Sequence, residues 1–502
     1  MTDRDRIERR IEQIIGRRQL VGLAIGMVGP EGLMFFRGHG RADTAAGRPI
    51  TQETVFRVAS ITKTFTAMAV VQLVEEGLVE LDAPANDYLR ELRLVPADPG
   101  HRPATVRHLL SHSAGVGELA RASGLVRPDF GESVPADEPL PTVAEFYGGR
   151  IQLRSEPGTS FTYGNHSPTV LGQLVEDVTG DALADVFRTR IFEPLGMAHS
   201  DLLRSPSVRA AMATGYEPSR RGWRAVPERD MVTAGAASVY STTADMARYV
   251  AALLGGGAND HGRVLAPASL AEMYRPQFQP DPRLPGMGLG FFRARIDGHA
   301  VVEHQGVHPG FHSHMCLAPD DGRGVLAFTN GARDPMFWLP TEAEGLLGVA
   351  IGAREPAVRH DLTVPHGALD ELEGWYRLDG PWTDLRKRVF MGAGAEVFGR
   401  DGRPWLRFLS PIPDLYRGFA LWPDAATDPD LYRIDLDEAG TSQVAFTRDP
   451  SGAVTSMALE LMPLRLERQP PRTNPRRWAT SLLLALLTVV AGLCLAWLLR
   501  RR

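Results

Sequence analysis

Ser60-Ile61-Thr62-Lys63 sets a hydroxyl and an amine three residues apart, a spacing that puts both on one face of a helix. A serine hydroxyl is a weak nucleophile until a neighbouring base takes its proton. Lysine can be tuned to that task, whereas arginine does not give up its proton. The chain holds two lysines, Lys63 and Lys387, among 55 basic residues, so a solvated bystander is a poor account of Lys63. Tyr163-Gly164-Asn165 follows the turn-rich stretch 156–161. A tyrosine beside a lysine ammonium has its pKa lowered by that cation; it can then accept the Ser60 proton and return it to a leaving group. Asn165 offers an amide that either holds a substrate or fixes Lys63. His304-Gln305-Gly306 lies on a predicted strand, where a glycine lets a substrate backbone approach closely. The amide of Val307, with that of Ser60, can form an oxyanion hole. An unperturbed histidine titrates near 6.5. His304 would therefore favour neutral acyl groups at neutral pH, and that preference would weaken on acidification.

Other polar residues receive blander readings. His308, His312 and His314 follow His304 closely, but Pro309-Gly310 breaks any helix and no acidic partner stands at ligand spacing, so no metal and no cofactor are assigned. Asp245 and Arg248, after Ser241-Thr242-Thr243, are read as helix capping.

These residues need elements to carry them. Residues 3–18 place Ile7, Ile11, Ile14 and Ile15 on one helical face. Residues 20–28 and 32–38 read as a hairpin turning at Gly29-Pro30-Glu31-Gly32. Residues 57–76 read as one helix stopped by Gly77, and a second helix is predicted over 168–178. Strand-like runs return at 288–296, 299–305, 311–318 and 323–329, then a helix at 340–352. The simplest packing is a sheet made from the first hairpin and the late strands, with helices on both sides and a helical insertion.

Composition sets bounds. The 502 residues are 43% hydrophobic and 23% charged, with a net charge of -5, which is a globular balance. No basic stripe with interleaved aromatics appears, so nucleic acid is not expected as a partner. The two cysteines, Cys316 and Cys494, are not expected to pair. The domains read as 1–354, a linker at 355–366, an all-β unit at 367–470 that is either a barrel or a sandwich, and an apolar run at 478–499. That run carries no charge over 22 positions and is long enough, at about 33 Å, to cross a bilayer core of about 30 Å. A single-pass membrane anchor is the resulting expectation. The arginines before the run and the missing signal peptide slightly favour a cytoplasmic catalytic face.

Taken in order and spacing, the three constellations resemble the signatures of the serine β-lactamase and penicillin-binding-protein superfamily, closest to the class C β-lactamase-like hydrolases with Tyr-x-Asn as second motif. The segments FRVASITKTFTAMAVVQLVEEGLVELD, TVRHLLSHSAG, PGTSFTYGN, IFEPLGM, ASVYSTTADMARY and HQGVHPGF carry the likeness over about residues 5–350. The resemblance implies a two-lobed α/β + α fold, an antiparallel sheet flanked by helices plus an all-helical lobe. It implies Ser60 as nucleophile, Lys63 and Tyr163 as the base pair, and Asn165, His304, Gly306 and Val307 as substrate-binding residues. The third motif departs from the usual Lys-Thr-Gly. Members with histidine there include esterases and peptidases. The C-terminal unit, from LEGWY at 372–376, resembles appended lipocalin-like domains. The expected function is hydrolysis of an ester or amide of a small molecule or peptide through an acyl-enzyme. The alternative is a membrane-bound penicillin-recognising or peptide-binding sensor that acylates without turnover.

Overall fold

The computed structural model describes residues 2–119, 131–380 and 384–477. It divides into two compact units, Met1–Pro356 with Asp437–Gly440, and Ala357–Leu436 with Thr441–Arg502.

The first unit is organised by a seven-stranded antiparallel sheet. Its order is Phe292–Ile296, His299–His308, Phe311–Ala318, Arg323–Ala332, Leu20–Gly29, Gly32–Asp43 and Arg48–Pro49. The first hairpin thus joins the late strands through Leu20–Gly29, which pairs with Arg323–Ala332. Side chains alternate across a strand, and the two faces of this sheet bury different partners. On one face the helices Asp3–Arg17 and Pro335–Ile351 pack, with Ile7, Ile11, Ile14, Trp338, Leu346 and Leu347 against Cys316, Val325 and Ala327. The first helix begins with a capping box in which Thr2 Oγ1 accepts from the Asp5 amide at 3.2 Å. Burying each such isoleucine contributes about 1.5–3 kcal/mol.

The other face meets the large core of the unit, including Val58, Ile61, Phe65, Met68, Met315, Leu317 and Phe328. The helix Thr62–Glu75 is buried from Thr62 to Leu73, which explains why its sequence shows no solvent-facing polar stripe. It starts later than the sequence pattern suggests. Val55–Arg57 is a strand paired with Tyr240–Thr242, and Ala59–Ile61 is a 3-10 turn. Thr242 caps the helix Thr243–Leu254, its hydroxyl accepting from the Asp245 amide at 3.0 Å.

The second unit is a nine-stranded antiparallel meander. Its first strand, Gly374–Leu378, pairs with its last, Leu464–Gln469. The two ends of the strand order, Phe419–Ala420 and Trp422–Ala425, are consecutive in the chain with Leu421 between them. A sheet so connected is curled into an up-and-down barrel, which decides between the two β architectures open from sequence. Tyr376 and Tyr432 each meet Phe446 edge to face within it, with ring centroids 6.0 and 5.8 Å away.

The expectation of a membrane span requires correction. Among the described residues no helix is long and apolar enough to cross a membrane. The run 478–499 itself lies outside the described residues. The expected transmembrane helix, and the single-pass location and membrane partner that depended on it, thus find no support among the described residues and are not carried further. Cys316 is a free, buried thiol, and Cys494 lies outside the described residues.

Candidate active site

The Ser60 turn is built from three local features. Ala59 takes φ +49°, a left-handed conformation that costs a non-glycine residue energy and so implies that its surroundings hold it. The Val58 amide donates to Val239 O at 3.1 Å, and Thr62 Oγ1 accepts from the Val239 amide at 2.9 Å. The strand His299–His308 presses on the same turn. A Cβ on Gly306 would collide with Val58 O and Ser313 Oγ, and Ser313 Oγ donates to Val58 O at 2.8 Å. Gly306 is therefore needed for close approach of strand and turn, more directly than for the substrate contact expected from sequence.

Lys63 lies one helical turn on and is 2% exposed. Its Nζ contacts Ser60 Oγ at 2.8 Å, Asn165 Oδ1 at 2.9 Å and Ala236 O at 3.1 Å. These contacts suit either protonation state. A neutral amine can donate to Asn165 and Ala236 while its lone pair accepts the Ser60 proton; an ammonium can donate to all three. Asn165 is oriented in turn, since its Nδ2 donates to Glu132 Oε2 at 2.5 Å. Lys63 Nζ also lies 5.1 Å from the centroid of the Tyr163 ring, within cation–π range.

His304 sits on the same face of its strand as Gly306, behind Tyr163 and Phe292, with ring centroids 6.1 and 5.6 Å away. Its Nδ1 is 2.8 Å from Gln305 O. Burial, with the Lys63 charge adding to it, pushes the imidazole down to about 3. His304 is thus neutral throughout the working pH range, and the titration near 6.5 expected from sequence does not occur: tertiary burial overrides the solution value. Val307 follows Gly306 and is 39% exposed.

Sequence reasoning missed four neighbours. His112, at φ +55°, packs with its ring tilted 4.9 Å from the Tyr163 ring and is held well below its ordinary pKa by burial and by Lys63. It stood in the quoted segment TVRHLLSHSAG, so a signal existed. Glu132, 2% exposed, stands 33 residues from Asn165 with no pattern to mark it. Phe292 and Phe161, 6.2 Å apart, extend an aromatic wall past Tyr163. Two aromatics in separate loops and strands give no periodic signal.

A family model described as beta-lactamase matches residues 7–346. Esterase EstB of Burkholderia gladioli is 30% identical over 375 residues, covering 66% of this chain and 91% of that protein. Penicillin-binding protein 4 of Amycolatopsis lactamdurans is 30% identical over 331 residues, covering 62% of this chain and 81% of the relative. The octameric penicillin-binding protein homologue from Pyrococcus abyssi shares the fold, with a TM-score of 0.58, 24% identity, and coverage of 93% of this chain and 100% of that one. The chain belongs to the beta-lactamase family, and within it is a serine hydrolase.

Proposed function

We propose that the protein hydrolyses carboxylic esters of neutral, largely apolar acyl groups through an acyl-enzyme on Ser60. The observation that carries this reading is the buried Lys63 amine held 2.8 Å from Ser60 Oγ by Asn165 and Ala236. A base fixed at that range takes the hydroxyl proton as oxygen attacks the acyl carbon. Tyr163, over the same amine, passes the proton to the departing alcohol. The amides of Ser60 and Val307 receive the oxyanion, a donor pair of which each member is typically worth about 10²–10³ in turnover. Water then attacks the acyl carbon with the same pair as base, and Ser60 is released.

Substrate choice follows from the wall beside this centre. His304 is neutral where relatives with Lys-Thr-Gly carry a cation, so a free carboxylate on the substrate finds no charge there. Phe292 and Phe161 offer apolar contact instead. The relative named as an esterase supports this reading over penicillin recognition. The test is a matched panel: p-nitrophenyl butyrate, p-nitrophenyl hemisuccinate, a D-alanyl amide and a chromogenic cephalosporin. The butyrate should exceed the hemisuccinate in kcat/KM by at least about tenfold. A higher rate on the hemisuccinate or the cephalosporin would overturn the substrate assignment, and stoichiometric acylation without steady turnover would point to a sensor.

A further inference from the structure

The side of the sheet turned away from Ser60 carries a second cluster of chemistry. Glu303 and His314 stand on the neighbouring strands His299–His308 and Phe311–Ala318, and Glu344 projects from the helix Pro335–Ile351. One ligand-type atom from each lies within 4.8 Å of the others. His314 is 1% exposed, and neither of its ring nitrogens completes a hydrogen bond. Its Nε2 instead faces Glu303 Oε2 at 3.2 Å. An imidazole so deeply buried without a hydrogen bond is costly, and this one is aimed between two carboxylates. The Glu303 side chain is 21% exposed and Glu344 is half-buried, which leaves an entry path from solvent.

We propose that Glu303, His314 and Glu344 form a binding site for one divalent transition cation of the zinc type. One imidazole and two carboxylates are a donor set suited to such an ion. Bonds of about 2.0–2.2 Å place ligand atoms about 3–4 Å apart. The cluster needs only a small contraction, which rotation about the glutamate side-chain torsions can supply. The ion would neutralise two acids set against an apolar core and give His314 Nε2 a ligand bond in place of its 3.2 Å ion-pair contact with Glu303 Oε2. Cys316 is buried nearby, and its sulfur is not among the three clustered ligand atoms. The consequence is a clamp. The ion would tie the helix Pro335–Ile351 to the strand that presents His304 and Gly306 on its opposite face. From sequence, no acid stands at ligand spacing from the late histidines. The fold supplies two, one from the adjacent strand and one about 30 residues on.

The test uses the full chain, stripped with a chelator and titrated calorimetrically with Zn²⁺. Mg²⁺ serves as the hard-cation control, and metal content and melting temperature are read in parallel. One equivalent of Zn²⁺ should bind with micromolar or tighter affinity, and Tm should rise by at least about 2 °C at saturating ion. Glu344→Gln, near-isosteric and on a partly exposed helix position, should weaken Zn²⁺ binding at least tenfold and remove the rise in Tm. Glu303→Gln should do the same, and keeps the test open should the first variant fold poorly. The absence of saturable Zn²⁺ binding would overturn the proposal and leave a proton-sharing Glu–His–Glu network. Binding of wild-type strength in both variants would place the ion elsewhere and overturn it equally.

Discussion

The strand His299–His308 shows two different chemistries on its two sides. Residues 304, 306 and 308 turn toward the core that holds Ser60, where Gly306 seats the strand on Val58 and His304 backs Tyr163. Residues 303, 305 and 307 turn the other way. Glu303 meets His314, and Gln305 Nε2 donates to Met336 O at 2.8 Å on the flanking helix. One face therefore holds a neutral imidazole beside a buried amine, and the other gathers two carboxylates around an imidazole. The pleat keeps them apart: a shift of register by one residue would exchange the two sets. Catalytic geometry and support are separated by the thickness of one sheet, so mutations can address each singly.

The largest effect is expected at Lys63. Lys63→Arg keeps a positive charge but loses the ability to cycle a proton, and kcat on a p-nitrophenyl ester should fall by about 10³ or more. Retention of a tenth of the activity would reduce Lys63 to a structural cation.

Gly306→Ala tests the seam between the two chemistries. The added methyl meets Val58 O and Ser313 Oγ, atoms with little room to retreat. The change should cost about 1–3 kcal/mol of stability and lower kcat about 10–100-fold by displacing the Ser60 turn. A variant with normal Tm and normal kcat would show that the strand does not set the turn.

The buried histidines give a pH signature. His112 and His308 are held well below their usual range, His304 near 3 and His312 near 4, all principally by burial. In the unfolded chain each titrates near 6.5. Below that pH the unfolded state binds protons that the native state refuses, so the stability these groups contribute above 6.5 is lost as pH falls toward 4. The slope is at most about 1.4 kcal/mol per pH unit for each histidine. Denaturation midpoints in urea should drop steeply between pH 6.5 and 5, and replacing His304 by Gln should reduce the slope. Midpoints flat over that interval would contradict the burial of these rings. The activity profile should show no titration assignable to His304 between pH 5 and 8.

The smallest effect on turnover is expected on the far face. Val325→Ala, fully buried among the helices there, should cost about 1–2 kcal/mol yet leave kcat within about twofold. A large loss of kcat would mean the two faces are coupled.

The sequence made the local chemistry legible because its signals are short. Ser60 and Lys63 are three apart, Tyr163 and Asn165 two apart, and the late strands and first hairpin are short apolar runs broken by turn residues. Partners assembled by the fold left no such trace. Glu132 reaches Asn165 from a distant loop, and Glu344 comes to Glu303 and His314 from a helix. The start of the first long helix was misplaced because Arg57, read as its first residue, is claimed by pairing with Tyr240, and Ala59–Ile61 form a 3-10 turn. The neutral charge of His304 at neutral pH was legible, but the depth of its pKa depression was not, because its environment is set by Phe292, Tyr163 and Lys63 rather than by its neighbours in sequence. The barrel of the second unit emerged only from the pairing of its first strand with its last.

The central claim is that Ser60 carries the acyl group. The direct measurement is intact-protein mass spectrometry after brief incubation with a fluorophosphonate or a slowly deacylating p-nitrophenyl ester, followed by peptide mapping. The account predicts one adduct per chain, mapped to Ser60, absent from a folded Ser60→Ala variant. An adduct on another residue, or equal labelling of Ser60→Ala, would contradict it.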